Sequence, residues 1–367
     1  MISTSCYLDF LKFCLHPDVP IPKSVKTMDW KGLYDFAIQQ GVVGIMQIGL
    51  NKLGKVEENP MPIHVLATWI GHWQSLEAVH KERLAYIHEI VEQFKSDGYR
   101  VCLLKGEGVS RMYPSPWLRN VGDVDLWFDG NRQDIIRYVK DISPNSEIKY
   151  MHSKVSGPDG VLIEIHYTPT CKNDFYSDHI LQKYINSHKE EQMQNLTLLP
   201  DGGGDVCVPT DSFNRILLMS HMMAHFISEG AGLNLLVDYF YLLQRGFTKA
   251  EQSADIVTLK RTGMLKFAQG VMWIEQNILG LQREFLLTKP DESVGKILLN
   301  EILAGGSYGK YDSRYNFSKQ QSALSLLRQE MRRNIRFVAL FPNEVISRPL
   351  FKLWHRSWQL YYNHYKR

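Results

Sequence analysis

The spacing of apolar residues predicts helices at both ends of the chain and strands between them. Intervals of three and four positions are typical of amphipathic helices, and they recur before residue 95 and again from Asp211 onward. The predicted N-terminal helices are Trp30–Gln39, Val42–Leu53 and a longer one from about Leu66 to Phe94, with a break near Gly71 left open. The C-terminal helical pattern has predicted breaks at Gly305-Gly306, Pro342 and Pro349.

Strand-like patterns occupy the middle of the chain. Tyr99–Leu104 and Val124–Phe128 are short apolar runs, and Val161–Thr168 alternates between apolar and polar residues. The other predicted elements are a helix at Gln133–Ile142, a strand at Glu147–Ser156, a turn at Gly157–Gly160, a partly helical insertion at Lys172–Asn195 and a hairpin that turns through Gly202–Gly204. This order predicts an α+β fold with a small mixed sheet flanked by helical regions.

The length of the chain indicates more than one structural unit. With 367 residues it exceeds one ordinary hydrophobic core. The change from helical to strand patterns and back predicts an N-terminal helical region over residues 1–75, an α/β core over 76–210 and a C-terminal helical domain over 211–367.

Two aspartates one residue apart carry the strongest chemical signal. Asp123 and Asp125 stand at the start of the strand Val124–Phe128, and residues i and i+2 of a strand point to the same face. Two carboxylates held side by side are costly unless a cation lies between them. A divalent ion, Mg²⁺ or Mn²⁺ carrying the phosphates of a nucleotide, is the simplest such cation. Aspartates on an exposed strand are the alternative, although aspartate is disfavoured in strands.

A third carboxylate, Glu164, lies in the alternating segment Val161–Thr168. Glu164 and His166 share the face opposite the apolar residues. Because adjacent strands lie roughly 5 Å apart, Glu164 would complete a triad with the two aspartates, and three carboxylates favour an arrangement of two metal ions. A solvent-exposed sheet edge would also tolerate Glu164. His166 would orient a neighbouring carboxylate, act as a base, or be a half-buried polar residue.

Lys105, Gly106 and Gly108 are typical of a loop that contacts phosphate. They follow the first predicted strand; glycine lets backbone N–H groups approach an anion, and lysine supplies a positive charge. Arg119 would either contact a phosphate or pair with Asp123 or Glu107 to hold this loop.

Three polar residues stand out in the C-terminal helical pattern. His221 and His225 are four residues apart, which is the spacing of metal ligands on a helix. No third ligand accompanies them in sequence, so packing or hydrogen bonding to a substrate is the favoured interpretation. Asp238, within LLVDYFYLL, is predicted to be a buried carboxylate that anchors the helical domain to the core.

These motifs together resemble a known family. LLKGEG, YPSPWLRNVGDVDLWF and LIEIH, followed by His221–Leu243 and by Leu303–Asp312, are similar to the uncharacterised nucleotidyltransferase family of the polymerase-β-type superfamily. The similarity covers roughly Leu84 to the C-terminus. The chain departs from the wider superfamily in having Lys105-Gly106-Glu107-Gly108 in place of Gly-Ser or Gly-Gly, and Asn234 where an arginine is expected.

The resemblance implies an activity. A protein of this family would transfer a nucleoside monophosphate from an NTP to an acceptor hydroxyl and release pyrophosphate. Asp123, Asp125 and Glu164 would hold two Mg²⁺ or Mn²⁺ ions. The acceptor is open: a small molecule, a sugar, a protein side chain or an RNA end.

Two other functions stay open at this stage. One is a non-catalytic regulatory protein that binds a nucleotide and a partner, as in a toxin–antitoxin pair. The three carboxylates argue against it, and the lysine loop and the absent arginine leave it open. The other is a phosphohydrolase that uses the same carboxylates on a different fold and releases free phosphate. Pyrophosphate as a product would distinguish the transferase from both.

Charge and cysteine content add two expectations. The net charge is +3, and Arg328–Arg367 carries nine basic residues against two acidic ones, which fits a solvated helix face or a surface for an acidic partner. Five scattered cysteines without a CxxC pair predict reduced thiols in a cytoplasmic protein. No secretory signal and no apolar run of about 20 residues occurs, so a soluble protein without membrane insertion is predicted.

Overall fold

The computed structural model describes most of the chain. The described residues are 2–16, 18–54, 61–120, 122–157, 160–200, 203–315 and 322–364. Parts of the two predicted turns, Gly157–Gly160 and Gly202–Gly204, lie outside them.

In the described residues, four α-helices precede the sheet: α1 Ile2–Leu15, α2 Trp30–Gln40, α3 Val43–Leu53 and α4 Ile63–Ser96. Asp29 is the N-cap of α2, because its carboxylate accepts a hydrogen bond from the backbone N–H of Gly32. Gly41 ends α2 at a φ of 67°, a conformation that glycine adopts without strain. The predicted N-terminal helices are confirmed, and α4 continues through Gly71 without a break.

The described part of the central region contains six strands and three α-helices. In chain order they are β1 Val101–Leu104, α5 Lys105–Ser110, β2 Val124–Phe128, α6 Arg132–Ile142, β3 His152–Ser156, β4 Leu162–His166, α7 Phe175–Gln194, β5 Leu196–Leu198 and β6 Asp205–Cys207. The strands form one mixed sheet with the order β3-β4-β2-β1-β6-β5. β2 pairs parallel with β4 and antiparallel with β1, and β3 pairs antiparallel with β4. The predicted α+β fold with a small mixed sheet is confirmed.

The remaining elements are helical: α8 Asp211–Ser228, α9 Leu233–Gln244, α10 Lys249–Arg261, α11 Leu265–Ile274, α12 Glu292–Gly305, α13 Ala323–Asn334 and α14 Pro342–His364. The predicted break at Pro349 is wrong, since Pro349 lies inside α14. Proline removes one backbone hydrogen bond from a helix, but residues of α14 before and after Pro349 pack against the rest of the protein and stabilise the helix. Val345 is buried, and Trp358 and Tyr362 pack against the sheet core.

The two faces of the sheet have different surroundings. Val124, Leu126 and Phe128 of β2 point into a core that α4 and α6 cover. Trp127, on the opposite face, packs into a second and larger core together with the helices that flank the sheet. This alternation is what a strand with a period of two produces, and it puts Asp125 on the face of Trp127.

The helical regions before and after the sheet share one hydrophobic core. Residues of α1 to α3 and of α8 to α12 belong to the same buried cluster, and the boundary predicted at residue 75 falls inside α4. The three domain ranges stay a prediction.

All five cysteines are free in the structure; reduced thiols and a cytoplasmic location stay predictions. Among the helices in the described ranges, none combines the length and apolar character that crossing a bilayer requires.

Candidate active site at the carboxylate cluster

A cavity of about 570 Å³ opens where the sheet meets the C-terminal helices. Its volume is within the range of small-molecule binding sites. The ends of β2, β3 and β4 form one wall, and α8, α9 and the segment after α12 form the other.

The three predicted carboxylates all line this cavity. Asp125 and Glu164 are directly opposite each other in the parallel pairing of β2 with β4. Asp123 immediately precedes β2. The structure therefore brings the two aspartates and Glu164 together. The period of two along a strand puts Asp123 and Asp125 on one face, and the strand order puts β4, with Glu164, beside β2.

Lys105 lies against these carboxylates. Its Nζ is 2.7 Å from Asp125 Oδ1, and both side chains are buried. The backbone turns sharply here, since Lys105 has a φ of 46° and Gly106 a φ of 32°. A positive φ is uncommon for a residue with a side chain, so the turn holds the lysine at the end of β1, beside the aspartate.

The two glycines of this loop have different surroundings. Gly106 lines the cavity. A Cβ at Gly108 would come within 2.8 Å of the Leu103 carbonyl oxygen, so Gly108 is required for close packing of α5 against β1.

His166 contacts two of the carboxylates, Asp125 and Glu164. Its Nε2 lies 2.7 Å from Asp125 Oδ1 and 3.5 Å from Glu164 Oε2, and its ring is fully buried. Burial and Lys105 oppose protonation of His166, but its hydrogen bonds to the two carboxylates prevail and raise its pKa. His166 thus orients Asp125 and Glu164 from beneath the cavity wall.

The electrostatic environment differs among the three carboxylates. Burial and the negative charges of Asp125 and Glu164 raise the pKa of Asp123. Burial alone would raise the pKa of Asp125 as well, but Lys105 and His166 hold it below its ordinary value. The same competition lowers the pKa of Glu164, for which burial is outweighed by His166 and His152. Asp123 is therefore the carboxylate whose negative charge is least compensated.

Arg119 has a different partner from those the sequence suggested. Its Nε and Nη2 donate to Asp238 Oδ1 and Oδ2 at 2.8 and 2.9 Å. Of the two alternatives for Arg119, the pairing with Asp123 or Glu107 is wrong, and the phosphate contact stays a prediction; Arg83 is the ion-pair partner of Glu107, at 3.8 Å. Asp238 is buried on α9 and anchors that helix to the core, as predicted.

His221 and His225 line the cavity from α8. Their ring centroids are 4.4 Å apart, and His225 Nδ1 lies 2.7 Å from Glu229 Oε1. Within the described ranges, they do not join a group of three metal-ligand side chains.

Sequence reasoning missed two residues of β3. His152 and Lys154 line the cavity beside Glu164. Lys154 Nζ is 2.8 Å from Glu164 Oε1, and His152 Nε2 is 3.3 Å from the same oxygen. Burial and the charge of His166 lower the pKa of His152 to about 3. The alternation of His152 with Lys154 in β3 was a usable signal, but only once β3 was known to pair with β4.

The segment after α12, residues 307–311, covers the cavity through Ser307 and Tyr308. Tyr308 has a φ of 58°, and its pKa is raised to about 12 by burial and by the charge of Asp123. Ser307 donates a hydrogen bond to Asn234, 3.3 Å away, so the residue in place of the expected arginine holds this segment.

Comparison with known proteins agrees with these motifs. A model of an uncharacterised nucleotidyltransferase family matches residues 26–280. Among solved structures, an antigenic nucleotidyltransferase-like protein from Paracoccidioides brasiliensis matches at 13% sequence identity with a TM-score of 0.30, over 50% of this chain and 91% of that chain. No curated protein matches the chain. The family match covers more than half of the chain and contains β1 to β6 with α8 and α9, so the chain belongs to this uncharacterised nucleotidyltransferase family.

Proposed function

We propose that this protein is a metal-dependent nucleotidyltransferase that moves a nucleoside monophosphate from an NTP to an acceptor hydroxyl and releases pyrophosphate. The observation that carries the proposal is the convergence of Asp123, Asp125 and Glu164 on one cavity in a member of a nucleotidyltransferase family.

The side chains in the cavity fit hard divalent ions. Mg²⁺ prefers oxygen ligands, and three carboxylates from two adjacent strands supply them. Burial and repulsion from Asp125 and Glu164 raise the pKa of Asp123, and a bound cation would relieve the repulsion. In this proposal Asp123, Asp125 and Glu164 hold two Mg²⁺ or Mn²⁺ ions, which supply charge compensation for the phosphates and activate the acceptor hydroxyl.

The chain itself supplies the remaining positive charge. Lys105, Lys149, Lys154 and Lys310 all line the cavity, and ammonium groups attract the phosphates of an incoming NTP. Lys105 and the backbone of Gly106 bind phosphate in this proposal, because both lie at the turn beside Asp125. Arg119 contributes through its charge at the cavity wall, while its ion pair with Asp238 keeps it in place.

The acceptor binds on the side of α8 and the segment after α12. His221, His225 and Tyr308 offer hydrogen-bonding groups there. A small molecule, a sugar, a protein side chain and an RNA end are the acceptor classes to be tested.

The test is turnover of labelled nucleotide. The full chain is incubated with each α-labelled NTP, Mg²⁺ or Mn²⁺ and a pool of acceptors, and pyrophosphate and label transfer are measured. Asp125→Asn should abolish both signals. Asp129→Asn is the matched control, since Asp129 follows β2 but pairs with Arg100 and Lys189 outside the cavity. Equal activity of the two variants would overturn the proposal, and free phosphate in place of pyrophosphate would indicate a phosphohydrolase.

A regulatory protein that binds a nucleotide and a partner is the second candidate. One contact favours it: Asp125 Oδ1 is already engaged by Lys105 and His166, each at 2.7 Å. That function requires nucleotide binding that Asp125→Asn leaves unchanged, together with no pyrophosphate from any NTP.

A further inference from the structure

We infer that His152, Glu164 and His166 form a binding site for a divalent transition-metal ion such as Zn²⁺. The inference concerns metal binding by these residues and goes beyond the proposed transfer reaction. Glu164 belongs to the carboxylate cluster as well, so the site adjoins the cavity from the side of β3.

Strand pairing alone brings the three side chains together. In the antiparallel pairing of β3 with β4, His152 is directly opposite His166. Glu164 precedes His166 by two residues and therefore points to the same face of the sheet. Side chains directly opposite in such a pair have Cβ atoms about 4.5–5.5 Å apart, which is close enough for two imidazoles and a carboxylate to reach one point.

Two distances between ligand atoms, each to a different oxygen of Glu164, are close to those around a small metal ion. His152 Nε2 is 3.3 Å from Glu164 Oε1, and His166 Nε2 is 3.5 Å from Glu164 Oε2. Zinc lies about 2.0–2.1 Å from nitrogen and oxygen ligands in a tetrahedral site, so two such ligands are separated by roughly 3.3 Å. One ligand atom from each of the three residues lies within 4.8 Å of the other two.

His152 supplies an independent observation. The residue is 7% exposed. In the part of the chain that the structure describes, neither of its ring nitrogens makes a hydrogen bond, although Nε2 lies 3.3 Å from Glu164 Oε1. A buried polar group without a partner costs free energy. Coordination by Nε2 to an ion beside Glu164 would remove that cost.

The contacts of His166 fit the role of a ligand. Its Nδ1 lies 3.3 Å from the Thr168 carbonyl oxygen. A carbonyl oxygen only accepts, so this contact favours a proton on Nδ1. Nε2 faces the carboxylates, donates to Asp125 in the metal-free protein, and would give up that proton on binding an ion. Metal-ligating histidines commonly donate their second ring N–H to such an oxygen. Asp125 Oδ1, 2.7 Å from His166 Nε2, is the nearest candidate for a fourth ligand.

The ligand chemistry selects the kind of ion. Two imidazoles with a carboxylate suit zinc and other first-row transition ions, whereas Mg²⁺ and Ca²⁺ prefer oxygen ligands only. Lys154 competes with any ion at this place, because its Nζ is 2.8 Å from Glu164 Oε1. Removal of that ammonium should therefore strengthen metal binding.

The experiment is calorimetric titration of the chelator-stripped full chain with Zn²⁺. One ion per chain is expected, and His152→Ala should weaken binding by about 100-fold or more, since even residues that only orient a zinc ligand change affinity by about 10–100-fold. Lys154→Met should bind more tightly than the wild type. Asp123→Asn should retain zinc, which distinguishes this site from the site proposed for Mg²⁺.

His225→Ala is the matched control, because His225 is a cavity histidine beside another histidine and a glutamate. Circular dichroism checks that each variant is folded, and His152→Gln replaces His152→Ala if the latter is not. Zinc binding that His152 variants leave unchanged, zinc binding lost in His225→Ala, or no zinc binding would overturn the inference. Zinc binding without nucleotide turnover would overturn the proposed function alone.

Discussion

Arg119 and Asp238 form a buried ion pair with two parallel hydrogen bonds, at 2.8 and 2.9 Å. The pair joins the loop before β2 to α9, and the Tyr113 hydroxyl donates to the same Asp238 Oδ1 at 2.6 Å. Two-point contacts of this kind fix geometry as well as charge. The wall of the cavity at α9 is thus positioned relative to the carboxylates of the sheet.

Replacing Asp238 by asparagine should strongly destabilise the protein. The Arg119 guanidinium would stay buried without its counter-charge, and removal of one partner from a buried pair costs about 3–5 kcal/mol. Urea unfolding gives the free energy of unfolding. Glu292→Gln is the control, since Glu292 and Lys296 form an exposed i,i+4 pair whose loss should cost only about 0.3–0.5 kcal/mol. Similar losses in both variants would contradict this prediction.

Asp123→Asn should stabilise the metal-free protein at neutral pH. Burial and the charges of Asp125 and Glu164 raise the pKa of Asp123 in the folded state, so ionised Asp123 disfavours folding at any pH above that pKa. As the pH falls through the folded pKa toward the ordinary carboxyl value, Asp123 becomes protonated and the penalty disappears. The difference in melting temperature between variant and wild type should therefore vanish in acid.

The measurement is thermal unfolding in a chelator at neutral pH and at about pH 3, which lies below the ordinary aspartate pKa and below the raised pKa of Asp123, so that Asp123 is mostly protonated in both states. A variant less stable than the wild type at neutral pH would show that the repulsion is absent. Added Mg²⁺ should stabilise the wild type more than Asp123→Asn, because the proposed ion loses one ligand in the variant.

Gly309→Ala should destabilise the segment that covers the cavity. A Cβ at Gly309, whose φ is +63°, would lie 1.9 Å from the Glu229 carbonyl oxygen. Residues in such a backbone conformation cost about 1–3 kcal/mol, and the clash adds to this. Gly305→Ala is the control: it lies in α12, its Cβ would meet nothing within 4 Å, and alanine is favoured over glycine in helices by about 1 kcal/mol. Relative to the wild type, the melting temperature should fall in Gly309→Ala and rise in Gly305→Ala.

Lys105→Met should weaken NTP binding. A hydrogen bond to a charged group contributes about 1.5–3 kcal/mol, which corresponds to about tenfold or more in affinity. Calorimetric titration with each NTP measures the change, and Lys189→Met serves as the control because Lys189 pairs with Asp129 away from the cavity. Equal affinities in the two variants would place the phosphates away from Lys105.

Local patterns predicted the elements that hold the carboxylates. β2 and β4 agree with the predicted strands within a few residues, and Glu164 shares its face with His166 as alternation required. The role of Lys105 was predicted from its place after a strand, and the structure adds its contact with Asp125. The partner of Arg119 was mispredicted, because Asp238 is 119 residues away in sequence and no local pattern connects them.

The amino-acid sequence by itself determined which residues form strands and which face each side chain occupies, because these follow from a fixed period of two along one segment. It also determined the family, through motifs that stay close together in the chain. Only the tertiary structure decided that β4 lies beside β2, that β3 brings His152 to Glu164, and that the segment after α12 covers the cavity. These contacts depend on the packing of distant segments around shared cores, whose energy belongs to the whole fold and not to any one stretch of residues.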